Sequence, residues 1–88
     1  MTPVVRLIGA SGCHLCEAAE RVLESASAEQ PFTLERVDIT GDLELERLYR
    51  ERIPVVEIDG EEAFVFFVQP DALRERLALA SSTVPPRH

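Results

Sequence analysis

Cys13 and Cys16 are the only cysteines among the 88 residues, and they stand two residues apart in Cys13-His14-Leu15-Cys16. Such a pair can close a disulfide, and a thiolate on one member can attack a disulfide in another molecule. A thiol attacks as its thiolate, so the site must lower a pKa that is ordinarily about 8.5. The apolar run Val4-Val5-Arg6-Leu7-Ile8, the turn Gly9-Ala10-Ser11-Gly12 and a helical pattern opening at Cys13 or His14 supply the means. Cys13 then lies at a helix N-terminus, where unpaired backbone N–H groups and the positive end of the helix dipole favour an anion. His14 adds a candidate positive charge beside it, while Glu17 is close enough to oppose that effect slightly. Cys16 falls one turn further in and less exposed. The expected chemistry is exchange, with Cys13 as the nucleophile that forms a mixed disulfide and Cys16 as the thiol that resolves it.

Other uses of the pair stand beside this one. Cys13, Cys16 and His14 could hold zinc, copper or a cluster. A four-ligand site needs a second Cys/His pair, however, and only His88 remains. A metal shared between two subunits would complete the set differently. No metal ligand is assigned. A structural staple is disfavoured, because a disulfide across two intervening residues closes too small a loop to constrain the unfolded chain. Inert buried thiols are disfavoured by the Gly-flanked turn, which argues for exposure. A third reading keeps the fold as a binding module without redox cycling.

The elements that position the pair follow from pattern. Val4–Ile8 reads as a buried strand, nearly continuous and β-branched. Leu15, Ala18, Ala19, Val22, Leu23 and Ala26 make one face of a helix reaching Ala26, with Ser27 to Pro31 ending it. Residues 32–39 alternate as a second strand, and Thr40-Gly41-Asp42 is a turn with capping potential. Leu43, Leu45, Leu48 and Tyr49 support a short helix to about Arg50, which Pro54 stops. Val55–Ile58 is a third strand, Asp59-Gly60 a hairpin turn, and Ala63–Val68 a fourth strand. Pro70 and Asp71 suit the first turn of a last helix, whose apolar face is Ala72, Leu73, Leu77 and Ala80. The order is βαβαββα: a four-stranded mixed α/β sheet flanked by helices, its βα units implying parallel neighbours and its hairpin adding an antiparallel edge. One domain over residues 1–80 and a frayed tail over 81–88 are expected, and the protein is expected to be a monomer.

Composition bounds the partners. The chain is 45% hydrophobic with a formal net charge of −7, which disfavours nucleic acid and anionic membranes. No apolar run approaches the roughly 18–20 residues of a transmembrane helix, and Met1–Arg6 lacks the features of a signal peptide. A cytoplasmic location is expected. Phe64 and Phe66 share one face of the fourth strand and Phe67 takes the other. All three are expected in the core, the alternative being an apolar lip beside the dithiol.

Gly12-Cys13-His14-Leu15-Cys16-Glu17-Ala18, Val37-Asp38-Ile39, Arg52-Ile53-Pro54-Val55 and Asp59-Gly60 together resemble the short bacterial glutaredoxin-like proteins of the thioredoxin superfamily. The likeness runs from about Val4 to Leu79. It implies the thioredoxin-like fold, disulfide oxidoreductase activity, Cys13 and Cys16 as the redox pair, and Pro54 as a cis-proline packed against them. In that geometry the Ile53 backbone can pair with an extended substrate or a glutathione peptide.

The chain departs from typical glutaredoxins in three places. His14-Leu15 replaces Pro-Tyr or Pro-Phe, Gly9-Ala10-Ser11 offers no lysine, and Phe66–Asp71 has no Gly-Gly turn. Arg50 or Arg52 could supply a positive charge for a glutathione carboxylate, and Asp71 could meet its ammonium. No bound cofactor is expected, with glutathione as a candidate co-substrate. A disulfide-containing protein or glutathione is the expected partner, with glutathione or a thioredoxin-reductase-like flavoprotein as reductant.

Overall fold

The computed structural model describes residues 2–81; of the tail expected over 81–88, Ser81 ends the last helix and 82–88 lie outside the described residues. The element order is β1 (Val4–Gly9), α1 (His14–Glu29), β2 (Thr33–Asp38), α2 (Leu43–Tyr49), β3 (Val55–Ile58), β4 (Glu61–Val65) and α3 (Pro70–Ser81). The strands form one sheet in the order β2-β1-β3-β4, with β1 parallel to β2 and antiparallel to β3, and β3 antiparallel to β4.

Period-two alternation divides the sheet between two cores. Val5 and Leu7 of β1, with Val56 and Ile58 of β3, face Ala19 and Leu23 of α1 and Leu73 and Leu77 of α3. Ile8, Ile39 and Val55 point to the other side, where Leu45 and Tyr49 of α2 pack against them. Fully burying each Leu, Ile or Val contributes about 1.5–3 kcal/mol, so the nine-residue α1/α3 cluster is the larger source of stability.

α2 has seven residues and buries none of them completely. It covers the dithiol end of its face and leaves the rest to solvent. On that open part Arg6 lies in register between Glu35 of β2 and Glu57 of β3, 3.3 Å and 3.6 Å from their carboxylates. The first strand is therefore not continuously buried: among the described residues no helix lies above Arg6, which is exposed.

Four expectations about the elements change. First, the second βα unit does not return a parallel neighbour. A seven-residue helix is about 10 Å long and a six-residue strand about 20 Å, so α2 cannot carry the chain back along the sheet, and β3 starts at the dithiol end and runs antiparallel to β1. Second, α1 continues three residues past Ala26 to Glu29. Ser27 donates its hydroxyl to Glu24 O at 2.8 Å and stays helical, and the stop comes just before Pro31.

Third, β4 covers Glu61–Val65 rather than 63–68. Asp59 and Gly60, with φ of 51° and 86°, make the tight turn so short that pairing resumes at Glu61. At the other end Phe66 adopts φ 73° and donates its N–H to Pro54 O at 2.8 Å, which leaves the strand conformation. Fourth, Phe66 and Phe67 consequently leave the core, 42% and 64% exposed, and only Phe64 packs against the α1/α3 cluster.

Candidate dithiol site

Cys13 is the N-cap of α1. Its sulfur accepts the backbone N–H of Cys16 at 3.1 Å, the position in which Ser, Thr, Asp or Asn ordinarily caps a helix. Gly12, at φ 77°, makes the turn that delivers Cys13 there. The Cα atoms of Cys13 and Cys16 are 5.2 Å apart and their sulfurs are in disulfide contact. Cys13 is half-buried, whereas Cys16 is 7% exposed beneath the end of β1. The pair thus has one partly accessible and one covered cysteine.

The turn before Cys13 is latched to the end of β2. Ser11 donates its hydroxyl to Asp38 Oδ2 at 3.2 Å and its N–H to Thr40 Oγ1 at 3.2 Å, while Thr40 N–H donates to Asp38 Oδ1 at 2.9 Å. Ile39 N–H donates to Gly9 O at 2.9 Å. These bonds hold the Asp38 carboxyl below its ordinary range, chiefly through the Thr40 N–H, then the Thr40 hydroxyl and the Ser11 hydroxyl, against partial desolvation. Asp38, Ser11 and Thr40 were not among the residues expected to build the site. An Asp-x-Thr sequence signals a local Asx turn, but nothing in it reveals a partner 27 residues away.

A cleft of about 160 Å³ opens on this side of α1, lined by Gly9, Ser11, Cys16, Glu17, Glu20 and Asp38 among others. On the opposite side of α1, Leu15, Ala18 and Val22 face Phe66, Phe67 and Gln69 across a second cleft of the same size. The exposed phenylalanines therefore make an apolar lip along the helix that carries the dithiol.

The Ile53–Pro54 peptide bond is cis. Pro54 is buried, and continuing the Ile8–Val55 register by one residue puts it across from Gly9, at the dithiol end. The remaining candidates are placed differently. The His14 side chain is 96% exposed and lies 4.0 Å from Glu17. The Arg52 guanidinium is paired with Glu62 and stacked 5.8 Å from the Tyr49 ring centroid. Asp71, at the start of α3, pairs with Arg74 at 3.1 Å. Arg50 is exposed at the C-cap of α2. Among the described residues, no three His, Cys, Asp or Glu side chains are grouped to hold a metal ion, and no helix is long and apolar enough to cross a membrane.

The fold and the dithiol define a class. Residues 4–78 match the family described as "Glutaredoxin-like domain (DUF836)", and the chain belongs to that family. It is 30% identical to an uncharacterized protein of Mycobacterium tuberculosis, covering 96% of this chain and 92% of that one. It is similar to the solution structure of protein Ne2328 from Nitrosomonas europaea, with TM-score 0.74 and 30% identity over 88% of this chain and 93% of that one. A thioredoxin variant from Halobacterium salinarum shares the fold, with TM-score 0.69 and 23% identity over 94% of this chain and 78% of that one. The protein is a glutaredoxin-like domain of thioredoxin fold with a C-x-x-C pair, a combination that supports a redox role.

Proposed function

We propose that the protein is a thiol–disulfide oxidoreductase. The Cys13 thiolate attacks one sulfur of a target disulfide, forms a mixed disulfide and releases the other target sulfur as a thiolate. The Cys16 thiolate then attacks the Cys13 sulfur and releases the target, leaving a Cys13–Cys16 disulfide. Two external thiols, or a flavoprotein reductase supplying two electrons, restore the dithiol. The observation that carries this reading is the helix cap: Cys16 N–H on the Cys13 sulfur favours the thiolate over the thiol. The unequal burial of the two cysteines supports the same division of labour.

The target that fits best is a protein disulfide. Leu15, Phe66 and Phe67 offer apolar contact beside the pair, and the Ile53 backbone offers strand-like pairing. Of the candidate anchors for glutathione, Arg52 and Asp71 are each engaged by another side chain and Arg50 is exposed at the end of α2, so glutathione fits better as reductant than as tightly held ligand. His14 contributes through solvent, given its exposure. A monomer in the cytoplasm suits reduction, since thiols there are kept reduced.

The test is equilibration in glutathione redox buffers, followed by alkylation and intact-mass measurement. A reversible two-hydrogen mass change with a defined midpoint supports the reading. A pair that stays reduced across the range, or resists alkylation until metal is stripped, overturns it.

A further inference from the structure

Gly9 ends β1 beneath the covered sulfur, and its dihedrals do not demand glycine: its φ lies outside the positive region. What demands glycine is space. A Cβ built on Gly9 would lie 2.8 Å from Cys16 Sγ and 3.1 Å from Cys16 Cβ. Optimal carbon contacts lie at about 3.5–4.0 Å, so the first distance is a clash and the second is tight.

The two contacts depend differently on redox state. Cys16 Cβ is fixed to the helix backbone and stays where it is in both forms. Cys16 Sγ hangs on one rotatable bond. As a free thiol it can move to another staggered position, and the cleft lined by Gly9 and Cys16 offers room. Bonded to Cys13, it cannot turn away. A methyl group at position 9 therefore burdens the disulfide more than the dithiol.

We propose that Gly9 is a positioning residue for the dithiol, its missing side chain being the space the Cys16 sulfur occupies in the disulfide, so that position 9 sets the balance between oxidised and reduced forms. The redox half rests on the exchange chemistry proposed above; the steric half does not. The equilibrium concerned is reduced protein plus glutathione disulfide giving protein disulfide plus two glutathione thiols.

Two measurements test it. In glutathione buffers, Gly9→Ala should lower the equilibrium constant for forming the Cys13–Cys16 disulfide about tenfold or more, which is about 30 mV toward easier reduction. In a double-mutant cycle read by thermal melting, Gly9→Ala should lower the melting temperature of the Cys16→Ala protein by about half or less of what it lowers the oxidised wild type. An unchanged equilibrium constant with equal destabilisation of both redox forms would overturn the proposal. If Gly9→Ala alone fails to fold, recovery of folding in Gly9→Ala/Cys16→Ala supports the proposal and failure of the double variant overturns it. If the wild type forms no reversible disulfide, the exchange reading and the redox half both fail. The melting cycle then decides the steric half: a loss in the Cys16→Ala background equal to that in the wild type overturns it, and a smaller loss supports it.

Discussion

The sulfur of Cys13 accepts a hydrogen bond from the backbone N–H of Cys16, the residue with which it pairs. On the exchange proposed above, one turn of helix serves both steps. In that exchange the backbone N–H of the second cysteine favours the first as an anion, and the side chain of the second, covered by β1, resolves the mixed disulfide formed on the first.

That order makes the two serine variants unequal. Cys13→Ser retains a cap oxygen and the fold but loses the nucleophile, so disulfide reduction should fall on the order of a hundredfold or more. Cys16→Ser retains the nucleophile and lacks the resolving thiol, so it should accumulate a mixed disulfide with its target. Intact mass after incubation with a peptide disulfide distinguishes them: an adduct on Cys16→Ser and none on Cys13→Ser. An adduct on Cys13→Ser would reverse the assignment.

Asp38 links the end of β2 to the turn before Cys13, and its carboxyl is held below the ordinary value of 3.8 by the Thr40 N–H, the Thr40 hydroxyl and the Ser11 hydroxyl. A depressed carboxylate binds fewer protons folded than unfolded, so stability rises with pH across the interval between the two values. The contribution is complete above that ordinary value, which the unfolded chain keeps, and disappears as pH falls through the folded one. Asp38→Asn should therefore melt below wild type at neutral pH, and the gap should close under acid. Melting curves at several pH values check this; a gap that persists at low pH would point to lost packing instead.

Much of this site is legible in the chain because its signals are local. Cys13 and Cys16 sit within one helical turn, Asp42 caps α2 through Leu45 N–H, Asp59-Gly60 makes the tight turn, and Pro70 opens α3. What is not legible depends on distant partners. Phe66 continues an alternating apolar pattern, yet its N–H is taken by Pro54 O, and a residue at φ 73° cannot extend a strand. Arg6 looks like an interruption of a buried run until α2 proves too short to cover it. Ser11 and Asp38 carry no mark of each other, and Gly9 reads as an ordinary turn residue until the Cys16 sulfur is placed beside it.

Arg6 on β1 lies between Glu35 on β2 and Glu57 on β3, the strands on either side of its own. Exposed ion pairs contribute about 0–1 kcal/mol each, and without the arginine the two carboxylates, two strand spacings or about 10 Å apart, repel across β1. Arg6→Gln should destabilise by about 1 kcal/mol at low salt through the loss of its two ion pairs, with the loss shrinking as salt screens these charges. Urea unfolding at low and high ionic strength measures both. A loss independent of salt would assign the role of Arg6 to its aliphatic stem.

Phe66 opposes two effects in one residue. A bulky side chain in the left-handed region costs about 1–2 kcal/mol, and Phe66 recovers some of that by partial burial against α1. Phe66→Gly relieves the backbone and removes the contact, so its net change in stability should stay within about 1 kcal/mol. Function should respond more sharply. Without the ring, the lip facing Leu15 is lost on the side next to the dithiol. Reduction of a peptide disulfide with apolar flanks should slow by about tenfold, the worth of one modest apolar contact, while reduction of glutathione disulfide should keep its rate. Parallel kinetics with the two substrates give the ratio. Equal slowing of both would place the ring in support of the Pro54 loop, to which its own N–H is bonded, rather than in contact with the target.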